Sequence, residues 1–267
     1  NPVGMTAVRL EAGVHMITGA VSSTRNIINC CNKAGLEVCE IALSSLASGD
    51  AVLTDDEKQL GCLVIDMGGG ITNLALFKDN NLKYIYELTL GGQNLTNDIS
   101  IGLRTSLPDA ENIKITNGTC APGNIKNDPV IEIPGAGGKP AKRLSKSILA
   151  EILEPRVEEI FTLIKKEISE KELESLYPAG LVVTGGSVVL DGIVEIAESV
   201  FTVPVRIGHP ERVGGFKDTI ENPAFATGVG LVIFGSQASE STNLQDSDIQ
   251  GGLEIINKMK QWFKDII

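Results

Sequence analysis

Two short apolar runs separated by glycines set the pattern of this chain. Leu63 to Ile65 and Leu74 to Phe77 flank Gly68, Gly69 and Gly70, with Asp66 just before the glycines and Thr72 just after. Short β-type runs joined by a tight glycine turn predict a hairpin. Far downstream, Leu181 to Val183 is another continuous apolar run. It reads as a strand buried on both faces that enters Gly185-Gly186 and then a helix-like stretch.

The remaining elements follow from period and punctuation. Met5 to Ala20 alternates in part and predicts a strand bent near Gly13; Leu36 to Leu43 predicts a returning strand. Between them, Ser22 or Ser23 is expected to cap a helix with Ile27, Ile28 and Cys31 on its apolar side, stopped by Gly35. Ser44 to Leu53 is helix-like, and Thr54 to Lys58 reads as a polar turn. Leu82 to Leu90 predicts a third strand, Asn94 to Leu103 and Asp109 to Asn117 helices, and Pro129 to Pro134 a short strand. From Leu144 to Ile168 the apolar positions keep helical spacing, with Pro155 expected to kink or split the helix. A strand at Val203 to Ile207 precedes a closing helix that begins near Asn222 and ends near Gly235. Ser236 to Gln250 is Ser, Gln, Asp and Asn rich and reads as a flexible linker. Gly251 to Ile267 predicts a last helix.

Composition narrows the function classes. A chain of 267 residues suffices for one large domain or two smaller ones. A formal charge of −11 argues against a nucleic-acid partner, which needs a basic face. The five cysteines, Cys30, Cys31, Cys39, Cys62 and Cys120, form no Cys-x-x-Cys pair, which fits free thiols in a reducing compartment.

The glycines carry the candidate chemistry. Without side chains, Gly68 to Gly70 let successive backbone N–H groups form a concave anion site, and Asp66 stands where a carboxylate can hold a hydrated Mg²⁺. The same residues also suit a plain glycine-rich turn. At Gly185-Gly186 a flat base or ribose can lie against the backbone; a packing turn between strand and helix is the other reading.

The tail is the second informative stretch. At helical spacing Leu253, Ile255, Ile256, Met259, Trp262, Phe263, Ile266 and Ile267 share one face, and Lys258, Lys260 and Lys264 lie on the other. Such a helix suits a membrane interface, and a flexible linker before it favours that over docking on the chain's own core.

The two glycine motifs at this separation resemble the actin-like ATPase superfamily, with its second phosphate hairpin and adenosine loop. Asn222 to Leu231 resembles its closing helix and Leu43 to Gly49 its first connecting helix. Together with the linker and the amphipathic tail, the chain resembles one family in particular, FtsA, the bacterial cell-division proteins that anchor the tubulin-like FtsZ ring. Asn1 to Gly19, Leu46 to Lys58 and Leu149 to Arg156 resemble further segments of that family. The family's first phosphate hairpin has no counterpart here, so the chain is expected to be the C-terminal portion of a longer protein.

The resemblance implies an α/β fold of actin-like (ribonuclease H-like) type, comprising the second half plus part of an inserted subdomain. On it, 1–43 is the remainder of the inserted 1C-like subdomain with its return strand. The second large subdomain is 44–108 with 178–235, and 109–177 is the upper subdomain. Residues 236–250 are the linker and 251–267 the membrane-targeting helix. The implied cofactors are ATP and Mg²⁺. Gly68, Gly69, Gly70 and Thr72 would line the phosphates, with Asp66 near the metal. Gly185, Gly186 and Ser187 would lie against the base and ribose, with Arg156, Glu151 and Lys146 as weaker candidates for the opposite wall, each of which reads first as part of a solvated helix face. Near the first connecting helix Ser44 and Ser45 stand where some relatives carry an acid, and Glu40 is the nearest one, so any ATPase is expected to be weak. The implied partners are an FtsZ C-terminal peptide on the region Asp109 to Tyr177 (Lys142 and Arg143 would meet it), a second copy in a protofilament, and other division proteins. The membrane surface would be met through Leu253, Ile256, Met259, Trp262, Phe263 and Ile266 with Lys258, Lys260 and Lys264. The protein would then sit on the cytoplasmic face of the inner membrane as a peripheral protein. The alternatives are a pilus-assembly adaptor of the same fold and a genuine actin-like ATPase.

Overall fold

The computed structural model of the chain describes residues 5, 6, 8–11, 14, 16–135, 140–211, 214 and 220–245. The helix expected over 251–267 and residues 246–250 of the expected linker lie outside the described residues. The chain divides into two compact units, Asn1–Ile41 and Ala42–Ile267.

The larger unit is built on a sheet ordered β3-β2-β1-β6-β7. Its strands are β1 (Cys62–Met67), β2 (Thr72–Lys78), β3 (Asn81–Leu88), β6 (Leu181–Thr184) and β7 (Val205–Ile207). β1 and β2 form the predicted antiparallel hairpin, Met67 opposite Thr72. β6 runs parallel to β1 with Asp66 beside Thr184, so the two glycine-bearing strand ends lie side by side.

β1 is buried along its whole length because both sheet faces are covered. Leu63, Ile65 and Met67 point to one face, and Cys62 and Val64 to the other. The first face packs against α4 (Gly92–Leu103), α6 (Lys146–Glu170) and α7 (Ile193–Phe201), through Leu95, Ile99, Leu153, Val157, Ile160 and Phe161. The second packs against α2 (Ser44–Val52) and α8 (Ala226–Gln245), through Ala51, Val52, Ala226 and Val229. This is a three-layer α/β/α body. α2 and α8 approach so closely that a Cβ on Gly230 would stand 1.8 Å from the Ala47 carbonyl oxygen. α5 (Leu107–Asn117) packs on α4, and β4 (Val130–Ile133) pairs with β5 (Lys142–Ser145) in a separate two-stranded sheet.

Several expectations are corrected. Thr54 to Lys58 is not a loose turn. It opens α3 (Asp55–Leu60), where the Thr54 hydroxyl accepts from the Glu57 N–H at 3.2 Å and Glu57 accepts from the Thr54 N–H at 2.8 Å. This is the reciprocal capping of a Thr-x-x-Glu sequence. α6 begins after β5 rather than at Leu144, and Pro155 does not divide it. Buried Leu149 and Leu153 before the proline and Val157 and Ile160 after it hold both halves to one core. α8 continues past Gly235 to Gln245, so the expected linker is helical as far as that residue. Extending an existing helix is far easier than nucleating one, and no proline or glycine falls between Ser236 and Gln245.

In the smaller unit α1 (Val21–Lys33) forms and Gly35 stops it at φ +78°, as expected. Its N-cap is Ala20, with no side-chain cap bond, rather than Ser22 or Ser23. The expected apolar side is not buried; Ile27 is 63% exposed. None of the described residues between 5 and 20, or between 36 and 43, is in a strand. An alternating pattern becomes a strand only where a neighbour completes its hydrogen bonds, and no described strand pairs with either stretch.

Candidate functional site

The hairpin turn Gly68–Gly70 closes with the Gly68 N–H donating to the Ile71 carbonyl at 3.0 Å. Its carbonyls then serve the next element. Gly68 accepts from the Gly92 N–H at 2.9 Å and Gly69 from the Gln93 N–H at 2.7 Å, which satisfies donors in the first turn of α4. The Ser187 hydroxyl donates to the same Gly68 carbonyl at 3.0 Å. Ser187 therefore joins the two glycine motifs directly.

Beside this junction lies a cavity of about 600 Å³. Gly69, Gly186 and Ser187 line it from the two motifs; Gly92, Gln93 and Thr96 from α4; Glu111 and Lys114 from α5; Leu107, Ile115, Val189 and Leu190 add apolar surface. Its size and its mix of apolar walls with few polar groups suit a small molecule. Lys114 Nζ donates to the Gly92 carbonyl at 3.0 Å, to Thr96 Oγ1 at 2.7 Å and to Glu111 Oε2 at 2.7 Å. Thr96 also hydrogen-bonds Glu111. Burial works to raise the Glu111 carboxyl, but the hydrogen bonds from Lys114 and Thr96 and the Lys114 charge outweigh it and hold it below the usual carboxylate range.

Of the residues singled out from sequence, Gly69, Gly186 and Ser187 line the cavity and the others do not. Gly185 is a packing glycine. At φ +96°, its Cβ would stand 2.5 Å from Asp66 Oδ1 and 2.6 Å from the Met67 carbonyl oxygen. Gly68 acts through its carbonyl, and Gly70 is exposed with no atom within 4 Å of where a Cβ would stand. Thr72 is fully buried and its hydroxyl donates to the Leu90 carbonyl at 2.8 Å, tying the strand end to the start of α4.

Asp66 is 8% exposed at the end of β1. Its Oδ2 accepts from Thr227 Oγ1 of α8 at 3.0 Å. Burial raises its carboxyl above the usual range, against the hydrogen bond from Thr227. It is a lone carboxylate: among the described residues no three His, Cys, Asp or Glu side chains gather as a metal site.

The weaker candidates for the opposite wall do not line this cavity. Arg156 is held by Asp98, with Nε to Oδ2 at 2.6 Å and Nη2 to Oδ1 at 3.1 Å, and pairs with Glu159. Glu151 is exposed, and neither it nor Lys146 lines the cavity. All three ride on α6, which packs against the inner side of α4, whereas the cavity opens between α4, α5 and the end of β6. Gln93, Glu111 and Lys114 were missed. The signal available was the i,i+3 acid–base pair of α5, which by itself reads as an ordinary solvated helix pair.

Elsewhere, Lys142 and Arg143 are exposed on β5, and Arg143 borders an open groove with Val130, Glu132 and Leu144. All five cysteines are free, and burial pushes the Cys62 and Cys120 thiols up to about 12, so neither is a thiolate near neutral pH. No helix among the described residues is long and apolar enough to cross a membrane.

A family model described as "Cell division protein FtsA" matches residues 63–230. A cell division protein FtsA from Pseudomonas aeruginosa is 41% identical over 270 residues, an alignment that takes in 98% of this chain and 64% of that protein. One from Neisseria meningitidis is 37% identical, over 99% of this chain and 65% of its own length. The chain thus spans just under two thirds of the length of these relatives. Among solved structures, MreB5 of Spiroplasma citri bound to ADP matches with a TM-score of 0.71 at 18% identity, over 84% of this chain and 68% of that one. The fold is actin-like.

Proposed function

Because the chain belongs to the FtsA family of cell division proteins, we propose that it carries one wall of an ATP site in a self-assembling cell-division scaffold. The observation that carries this reading is the cavity itself. It joins the glycine turn of β1–β2 to the glycine end of β6 around the Lys114–Glu111 pair. The exposed N–H groups and open space at Gly69 suit phosphate oxygens, and Gly186 with Val189 and Leu190 suits a flat base. Bound nucleotide would set the geometry of the assembled protein and so its polymer state.

The residues present fit Mg²⁺ only as a partner of the nucleotide. Asp66 supplies one carboxylate, and Mg²⁺ commonly takes one or two carboxylates with phosphate oxygens and water completing its shell. The metal would neutralise phosphate charge there.

The remaining parts of the reading follow from the family. The region Asp109 to Tyr177 docks an acidic FtsZ C-terminal peptide, with Lys142 and Arg143 as exposed positive charges. Residues 253–267 lay the face of Leu253, Ile256, Met259, Trp262, Phe263 and Ile266 on the cytoplasmic side of the inner membrane. Each of Lys258, Lys260 and Lys264 adds attraction of about 1 kcal/mol near an anionic leaflet. Several tails along one polymer would bind firmly where a single tail binds modestly.

The test is titration of the 267-residue chain with ATP and Mg²⁺ by calorimetry, in parallel with flotation on anionic liposomes. Saturable ATP binding that Gly186→Val abolishes supports the site. Release from liposomes by Trp262→Glu supports the anchor. ATP binding that Gly186→Val leaves unchanged overturns the placement of the site.

A further inference from the structure

Asp66 is held from the closing helix. Its Oδ2 accepts from Thr227 of α8 at 3.0 Å, while the Ser48 hydroxyl of α2 donates to the Ser44 carbonyl at 3.1 Å. Asp66 Oδ1 lies against the backbone of Gly185, at the point where a Cβ would stand 2.5 Å away. The carboxylate is thus fixed through Oδ2, in a site 8% exposed, one residue before Met67 and the glycine turn. Thr227 sits in the first turn of α8, which packs closely on α2: a Cβ on Gly230 would stand 1.8 Å from the Ala47 carbonyl oxygen.

We propose that Thr227 is a positioning residue, whose hydroxyl holds the Asp66 carboxylate for the cation of the bound nucleotide and thereby ties the phosphate end of the sheet to the α2–α8 pair. This rests on the ATP reading above. A buried carboxylate that is to meet a cation must be fixed without being neutralised. A hydroxyl donor does this, because it stabilises the charged form and occupies only one lone pair of one oxygen. An ammonium in the same place would satisfy the charge and repel the metal. A ligand that draws on Asp66 must either keep the Thr227 bond or break it, and either outcome reaches α8. The link is a single hydrogen bond with a defined donor and acceptor, and the thermal melt reports what its removal costs the fold.

The experiment measures affinity of the full 267-residue chain for ATP with Mg²⁺ and with EDTA. It compares wild type, Thr227→Val, Thr227→Ser, Asp66→Asn and the Asp66→Asn/Thr227→Val double variant, with a thermal melt of each. Thr227→Val keeps the branched shape and loses the hydroxyl. It should lower the Mg²⁺-dependent gain in affinity roughly tenfold, the scale of one hydrogen bond to a charged group, and leave the affinity in EDTA unchanged. Thr227→Ser should retain the gain. Asp66→Asn should lose it, and the double variant should lose no more than Asp66→Asn alone. A Thr227→Val chain whose Mg²⁺-dependent gain equals that of wild type overturns the positioning role. So does a loss of equal size with and without Mg²⁺, or one that adds to that of Asp66→Asn. If the wild-type chain binds no ATP in either condition, the ATP reading itself fails and this proposal falls with it, an outcome distinct from the other three.

Discussion

Gly69 and Gly185 stand at the ends of neighbouring strands and look alike in the sequence, yet they do opposite things. Around Gly69 there is open space; no heavy atom lies within 4 Å of where its Cβ would stand, and its backbone faces the cavity. Around Gly185 there is none; its φ is +96° and a Cβ would run into Asp66 and Met67. One glycine leaves room for a ligand, and the other lets two pieces of backbone meet. Only the first kind opens onto the cavity. The second lets the β6 strand end pack against Asp66 and Met67.

The largest effect expected from this contrast is on stability. Gly185→Ala forces a left-handed backbone onto an L residue and drives a methyl into fixed backbone, and should destabilise the chain by roughly 3 kcal/mol. Urea unfolding checks it. A loss under about 0.5 kcal/mol would mean that Gly185 is not packed as described. Gly69→Val is the converse. Its stability should stay within about 0.5 kcal/mol of wild type, because the new side chain meets only open space. The same substitution should weaken ATP binding at least about tenfold, or about 1.4 kcal/mol, since the side chain takes the ligand's place. A destabilised Gly69→Val chain, or one with unchanged affinity, would erase the distinction between the two glycines.

Lys114→Met should have a smaller effect, about fivefold or roughly 1 kcal/mol in ATP affinity, shrinking at high salt as the phosphate attraction is screened. Lys114 spends its donors on Gly92, Thr96 and Glu111, so its contribution to the ligand is the charge it places on the cavity wall and the bracing of α4 against α5. A salt-independent loss would assign it to bracing alone.

What was legible in the chain follows the same division between local and assembled features. The β1–β2 hairpin, β6 and its glycine end, and the buried face of α6 are written in runs and periods that need no partner to be read. The helix expected over Ser44 to Leu53 and the start of the closing helix were legible for the same reason, though not where the closing helix ends. The Thr54–Glu57 capping box was equally local and was passed over in favour of a turn. The strands expected in 5–20 and 36–43 failed because a strand exists only with a neighbour, and alternation does not say whether one is present. The far wall of the cavity was not legible, because Glu111 and Lys114 belong to it only through the packing of α5 on α4. For the same reason the pairing of Arg156 on α6 with Asp98 on α4 was not legible, since only the fold brings the two together. Gly185 and Gly186 differ only in what the fold brings beside them.

The smallest effect expected is on pH dependence, and its sign separates the two carboxylates of the site. Burial raises the Asp66 carboxyl, so the folded chain holds that proton more tightly than the unfolded chain, whose Asp titrates near about 3.9. Its charged form therefore costs stability, a cost that grows as pH rises from that value through the folded pKa and stays in full above it. Glu111 has the opposite sign. Its carboxyl is held below the usual range, so its contribution is full above the unfolded value near about 4.3 and is lost as pH falls through the folded pKa. With its side chain 43% exposed, solvent screens the Lys114 pair and keeps that contribution small. Urea unfolding between pH 3 and about pH 8 should show Asp66→Asn more stable than wild type near neutrality, by no more than about 1 kcal/mol, with the gap closing in acid. Glu111→Gln should be slightly less stable than wild type near neutrality, and that gap should also close in acid. If Asp66→Asn is the less stable variant at neutral pH, then the hydrogen bond from Thr227 outweighs burial and Asp66 stabilises the fold as a carboxylate. The contrast between the packed and the open side of the site would then hold for the glycines but not for the charges beside them.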